Sequence, residues 1–203
     1  IVVVDPHRAG DELLYYPGEV NFKRADVIVI NKVDTCEDSA VQLVKQNIQA
    51  CNNSAIVIEA RSPVFAEQGQ TISGKRVLVV EDGPTLTHGG MTFGAGSLAA
   101  KQYGAKEIVD PRPWLAGTLI DTFEKYPKIG NLLPAMGYGK EQIKDLEQTI
   151  NASDCDLVVI GTPIDLTRVI DIQKPSVRVT YELEEVGTPN LEMVLKPFMS
   201  NPA

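Results

Sequence analysis

Three features of the sequence predict an α/β fold of mostly parallel sheet layers with flanking helices. Short apolar runs alternate with amphipathic stretches of helical length, the pattern that yields parallel sheets covered by helices on both faces. The runs are continuously apolar, as in Ile1-Val2-Val3-Val4 and Val27-Ile28-Val29-Ile30, which marks strands buried on both sides. A chain of 203 residues that is 43% apolar can also bury a substantial core, in one large domain or two small ones.

Taken in order, strands are expected at about residues 1–5, 25–30, 55–59, 76–80, 107–109, 156–161 and 177–183. Helices are expected at about 37–50, where Val41, Leu43, Val44 and Ile48 recur at helical spacing, and at 96–103, 114–124, 139–151 and 190–198. The stretch from Phe65 to Lys75 is poor in apolar residues and carries Glu67-Gln68-Gly69-Gln70 and Ser73-Gly74. It reads as a connection, giving domains at 1–70 and 75–203.

The net charge of -8 argues against a nucleic-acid partner, because broad contact with a phosphate backbone needs a basic face. No apolar run approaches the ~20 residues that cross a bilayer, so no membrane partner is expected. Cys36, Cys51 and Cys155 have neither a zinc-site spacing nor an even count for disulfides, and read as reduced thiols of a cytoplasmic protein. The chain opens on an apparent buried strand with no initiator Met and no basic signal start, which reads as a piece of a longer protein. A homodimer is compatible with these features.

The strand at 25–30 delivers Asn31-Lys32-Val33-Asp34 at its carboxyl end, where ligands sit in open α/β sheets. A carboxylate at Asp34 would accept hydrogen bonds from guanine N1 and N2, the Lys32 stem would cover the base, and Asn31 would brace the loop. Adenine offers an acceptor at N1, so the pattern favours guanine. The alternative is a polar turn capping the next helix. Ala60 and Arg61, at the end of the strand at 55–59, are candidates to touch the same base. Asp5 ends the first strand as a metal-linked Asp would in an NTPase, with His7 and Arg8 placed to bring a base and a cation to the γ-phosphate; it can equally start a turn before Pro6. No G-x-x-x-x-G-K-[ST] occurs in the chain.

In the second half, a strand ends in Glu81-Asp82 and is followed by a glycine- and threonine-rich loop containing Gly83, Thr85, Thr87, His88, Gly89, Gly90, Gly94 and Gly96. Backbone donors, hydroxyls and the helix amino end near Gly96 suit an anion, and Asp82 a bridging metal. A flexible connector is the other reading. Further candidates at strand ends are Asp110 and Arg112, then Thr162, Asp165 and Arg168, the arginines as phosphate contacts or as surface ion-pair partners.

Asp5-Pro6-His7-Arg8, Tyr15-Tyr16-Pro17-Gly18-Glu19, Asn31-Lys32-Val33-Asp34, Val79 to Gly89, Asp110-Pro111-Arg112-Pro113, Leu133 to Gly139 and Val158 to Leu166 together resemble the cyclic 2,3-diphosphoglycerate synthetases and their bacterial relatives often described as GTPases. The resemblance implies ATP-driven closure of 2,3-diphosphoglycerate into an internal phosphoanhydride. It further implies Mg2+, a K+ requirement, and a nucleotide and a small phosphorylated substrate as partners. Family members carry an upstream P-loop, so the chain reads as an incomplete P-loop NTPase-like unit followed by a second α/β unit. A ligase or NTPase is expected of the full protein, and no activity of these residues alone. The guanine-type loop and the family's ATP leave GTP or ATP open. A regulatory GTPase with a fused ligand-binding unit, or an inactive fragment, is the alternative.

Overall fold

The computed structural model describes residues 1–87 and 91–199. In chain order the strands are β1 (Val2–Val4), β2 (Val27–Ile30), β3 (Ile56–Arg61), β4 (Val64–Ala66), β5 (Arg76–Asp82), β6 (Glu107–Ile108), β7 (Leu133–Ala135), β8 (Leu157–Ile160), β9 (Ser176–Tyr181) and β10 (Glu184–Val186). The helices are α1 (Gly18–Arg24), α2 (Asp38–Cys51), α3 (Gly83–Thr87), α4 (Ala95–Gln102), α5 (Thr118–Lys125), α6 (Lys140–Ala152) and α7 (Leu191–Met199). The fold is mixed α/β with two mostly parallel sheets.

The first compact unit comprises Ile1–Pro63 with Glu182–Ala203. Its four-stranded sheet runs β1-β2-β3-β10, parallel except for β10. All of β2 is buried because its two faces are covered separately. Ile28 and Ile30 pack with Val41, Val44 and Ile48 of α2, while Val27 and Val29 join Ile58 and Ala60 beneath Leu191 and Val194 of α7. This two-sided burial is why the strand reads as an unbroken apolar run.

The second unit is Val64–Tyr181. Its six-stranded sheet has the order β4-β9-β8-β5-β6, with β7 also on β5 and only β4 antiparallel. Residues 77–80 of β5 are fully buried against Ala99 and Ala100 of α4, Leu119 and Phe123 of α5, and Leu146 and Ile150 of α6. The chain builds out from β5 through β6 and β7, then crosses back to β8 and β9. The carboxyl ends of β5 and β8 therefore flank the point where strand order reverses, the usual ligand crevice of an open α/β sheet.

Two expectations are corrected. Residues 182–199 fall in the first unit rather than the second, since β10 pairs antiparallel with β3 and Glu185 accepts the Leu191 backbone N–H at the start of α7. The Phe65 to Lys75 stretch is not all connection, because Val64–Ala66 pairs with β9. The sequence also gave no sign of β7, whose Pro134 cannot donate to a ladder; it lies beside β5 only, in register with Glu81.

Candidate functional site

At the carboxyl edge of the first unit, the turn after β1 is fastened to the loop after β2. Asp5 Oδ1 accepts the His7 backbone N–H at 3.0 Å, and its Oδ2 takes the Lys32 ammonium at 2.6 Å. His7 Nε2 lies 2.9 Å from the Thr35 hydroxyl. Inside the loop, Asn31 Oδ1 accepts the Lys32 backbone N–H at 2.9 Å, and Val33 N–H donates to the Ala60 carbonyl at 3.1 Å. Lys32 has a φ of 60°, a left-handed conformation that costs a residue with a Cβ about 1–2 kcal/mol. Such a conformation persists where the surroundings over-determine it, as these bonds do.

Asn31, Lys32, Asp34 and Ala60 are thus brought together. Asp34 is exposed, and its carboxylate has no hydrogen-bond partner among the described residues. Arg61 is exposed and lies 3.7 Å from Glu184. Burial pushes the Cys36 thiol up, with the nearby Asp5 adding to the shift. Arg8 is held by Asp11, with two of its nitrogens 2.8 Å from one carboxylate oxygen.

In the second unit, Glu81 is only 2% exposed, and Ser97 N–H donates to its Oε1 at 2.7 Å. The amino end of α4, expected to receive an external anion, is therefore occupied by the protein's own carboxylate. Gly94, Gly96 and Gly161 are small because Glu81 lies against them. At Gly161 a Cβ would stand 2.5 Å from Gly96 N and 2.6 Å from Glu81 Oε2. Gly83 meets the end of β7, where a Cβ would come within 2.5 Å of the Ala135 carbonyl oxygen. Thr87 donates its hydroxyl to Gly83 O at 2.9 Å. Asp82 is half-buried at the end of β5. Across the crevice, Thr162 is buried and its hydroxyl is 3.3 Å from that of Tyr138, a residue the sequence reading had not singled out. His88, Gly89, Gly90 and the side chain of Thr85 lie outside what is described.

The arginines at this edge each have a protein partner, while the buried Nε of Arg178 has none among the described residues and Arg168 is 83% exposed. Arg112 donates to Asp110 at 2.8 Å and to the Ile129 carbonyl at 2.5 Å, and its guanidinium lies 5.1 Å from the Phe123 ring centre. Arg168 pairs with Asp165 at 3.2 Å, and Arg178 donates to the Pro163 carbonyl at 3.2 Å with Asp165 4.0 Å away. The Thr167 hydroxyl, then its N–H and the two arginines, hold the Asp165 carboxyl below its usual range. Both carboxylates offered for Mg2+ are poor fits to a protein-built metal site. Asp5 has both oxygens engaged, and no group of three or more His, Cys, Asp or Glu gathers among the described residues. Gly69 to Lys75 copies a phosphate-loop spacing up to Arg76, but it leads from a short 3-10 turn into a strand rather than a helix, so the helix amino end is missing.

Burial raises the Glu81 carboxyl pKa, opposed by the N–H groups of Ser97, Gly96 and Gly94 and by the Ser97 hydroxyl. A carboxyl raised on folding contributes stability below its unfolded pKa, and that contribution is lost as pH rises through the folded value. Thermal unfolding of the wild type is therefore expected to show stability falling with pH above the ordinary glutamate range, and Glu81→Gln to show a shallower fall. Parallel pH curves for the two proteins would refute this account of the buried acid.

Among the described residues no helix is long and apolar enough to cross a membrane. No family model matches the chain. It is 58% identical over 201 residues, 99% of its length, to the arginine synthetase ArcE of Thermococcus kodakarensis, and spans 45% of that relative. The chain is thus related, over nearly all of its own residues, to part of a synthetase.

Proposed function

We propose that the chain is part of a nucleotide-dependent synthetase that builds a guanidinium C–N bond, with arginine or a close guanidino acid as product. The observation that carries this is the 58% identity, across 99% of the chain, to an arginine synthetase. Because the chain spans 45% of that relative, the activity is assigned to the complete protein.

The chemistry needs nucleotide because the oxygen of a ureido group is a poor leaving group. Transfer of the γ-phosphoryl group to that oxygen makes it leave as phosphate. Ammonia adds at the carbon, the C–O bond breaks, and the products are the guanidinium, nucleoside diphosphate and inorganic phosphate. The first unit would seat the base, with Asp34 accepting from it. Mg2+ would arrive with the nucleotide, held chiefly by its phosphates.

The second unit suits a nitrogen substrate better than 2,3-diphosphoglycerate. Two phosphates call for several uncommitted cations, whereas Arg112 is held by Asp110 and the Ile129 carbonyl. The crevice brings together the hydroxyls of Tyr138 and Thr162, which can donate to or accept from a nitrogen-bearing substrate. The test is to supply the complete protein with nucleoside triphosphate, ammonium and the ureido analogue of arginine. Arginine and nucleoside diphosphate should form in equal amounts. Turnover of 2,3-diphosphoglycerate to its cyclic anhydride, with no arginine formed, would replace this reading with the other.

A further inference from the structure

We propose that Asp5 and His7 are positioning residues for base recognition, holding the Asn31 to Asp34 loop in its binding shape. This inference rests on the nucleotide-binding reading above. Asp5 uses one oxygen to fix its own turn through His7 N–H and the other to hold Lys32 at 2.6 Å. The His7 ring reaches Thr35 at 2.9 Å. The turn therefore grips the loop on both sides of Asp34, at the residue two before it and at the residue after it. Lys32 needs this support because its backbone is left-handed at φ 60° while carrying a full side chain. Asp34 is left exposed between the two grips. With both oxygens already engaged, Asp5 acts through Lys32 rather than on a phosphate or a metal-bound water.

The experiment compares wild type, Asp5→Asn, His7→Ala, Lys32→Met and Asp5→Asn/Lys32→Met in the complete protein, measuring affinity for GTP and ATP and steady-state turnover. Asp5→Asn should raise the KM for the preferred nucleotide about tenfold and narrow the discrimination between the two bases, with kcat at saturating nucleotide within about twofold of wild type. His7→Ala should act in the same direction. The double variant should be no weaker than Lys32→Met alone, since both changes remove one interaction. A fall in kcat at unchanged KM would make Asp5 a catalytic group and overturn the proposal, as would unchanged affinity and discrimination in Asp5→Asn. If the wild type binds neither nucleotide, the base-loop reading fails and this proposal with it. Wild-type binding that both Asp5→Asn and His7→Ala leave intact rejects the positioning role alone.

Discussion

Asp34→Ala in the complete protein should weaken purine nucleotide binding by ~100-fold or more without destabilising the fold. The carboxylate is exposed and has no hydrogen-bond partner among the described residues, so its removal breaks no bond of the folded chain described here. In the complex it would accept two charge-assisted hydrogen bonds from guanine N1 and N2, each worth about 1.5–3 kcal/mol. Each 1.4 kcal/mol is tenfold in affinity, so even the lower end of that range gives two orders of magnitude. Asp34→Asn carries a sharper signature. Its amide would place a donor opposite a guanine donor while matching the carbonyl at position 2 of xanthine, so preference should move from guanine toward xanthine nucleotides. Calorimetric titration with the three nucleotides checks both variants. Wild-type affinity in Asp34→Ala would remove this residue from base recognition.

Gly161→Ala should destabilise the second unit by about 3 kcal/mol, with Gly161→Val worse, because the space a side chain needs is filled by atoms that cannot swing away. The new Cβ would stand 2.5 Å from the backbone nitrogen of Gly96 and 2.6 Å from the buried Glu81 carboxylate. Gly161 itself cannot retreat without breaking its 2.7 Å hydrogen bond to Val80 O. Relief would require lifting α4 off the sheet, and with it the cap on Glu81. Gly18→Ala provides the contrast, since its nearest neighbour would be Tyr15 Cβ at 3.9 Å. It is expected to be neutral or to stabilise by about 0.4–1 kcal/mol through the unfolded chain. Denaturant unfolding of the three proteins checks the ranking. Equal stability of Gly161→Ala and Gly18→Ala would mean that α4 and β8 are not in the close contact described.

The sequence by itself determined the α/β class, the cores of β2 and β5 and the base-loop candidate, for one physical reason, whereas Ile1 and Val3 of the first apolar run, read as buried on both sides, stand 59% and 62% exposed at the sheet edge. Val27 to Ile30 and Val77 to Val80 are buried on both faces, so their apolar character is written residue by residue. Asn31, Lys32 and Asp34 are neighbours in sequence, so their grouping survives any uncertainty about tertiary structure. The connections that depend on distant partners were not legible. Lys32 pairs with Asp5, 27 residues away, and the amino end of α4 is filled by Glu81, 16 residues before Ser97. The carboxylates and helix amino end could each be read as seeking a ligand, and only the folded chain decided that they had found each other. Arg112 likewise could be read as an anion contact or as an ion-pair partner, and only the folded chain shows it holding Asp110, the Ile129 carbonyl and the Phe123 ring. The final strand β10 joined the first unit because β3 had an open edge, a vacancy that local composition does not record. Local pattern fixes which segments are strands and helices, since that depends on near neighbours and burial. Which polar groups remain for a ligand depends on the charges and donors that folding brings opposite them, and this the tertiary structure alone decided.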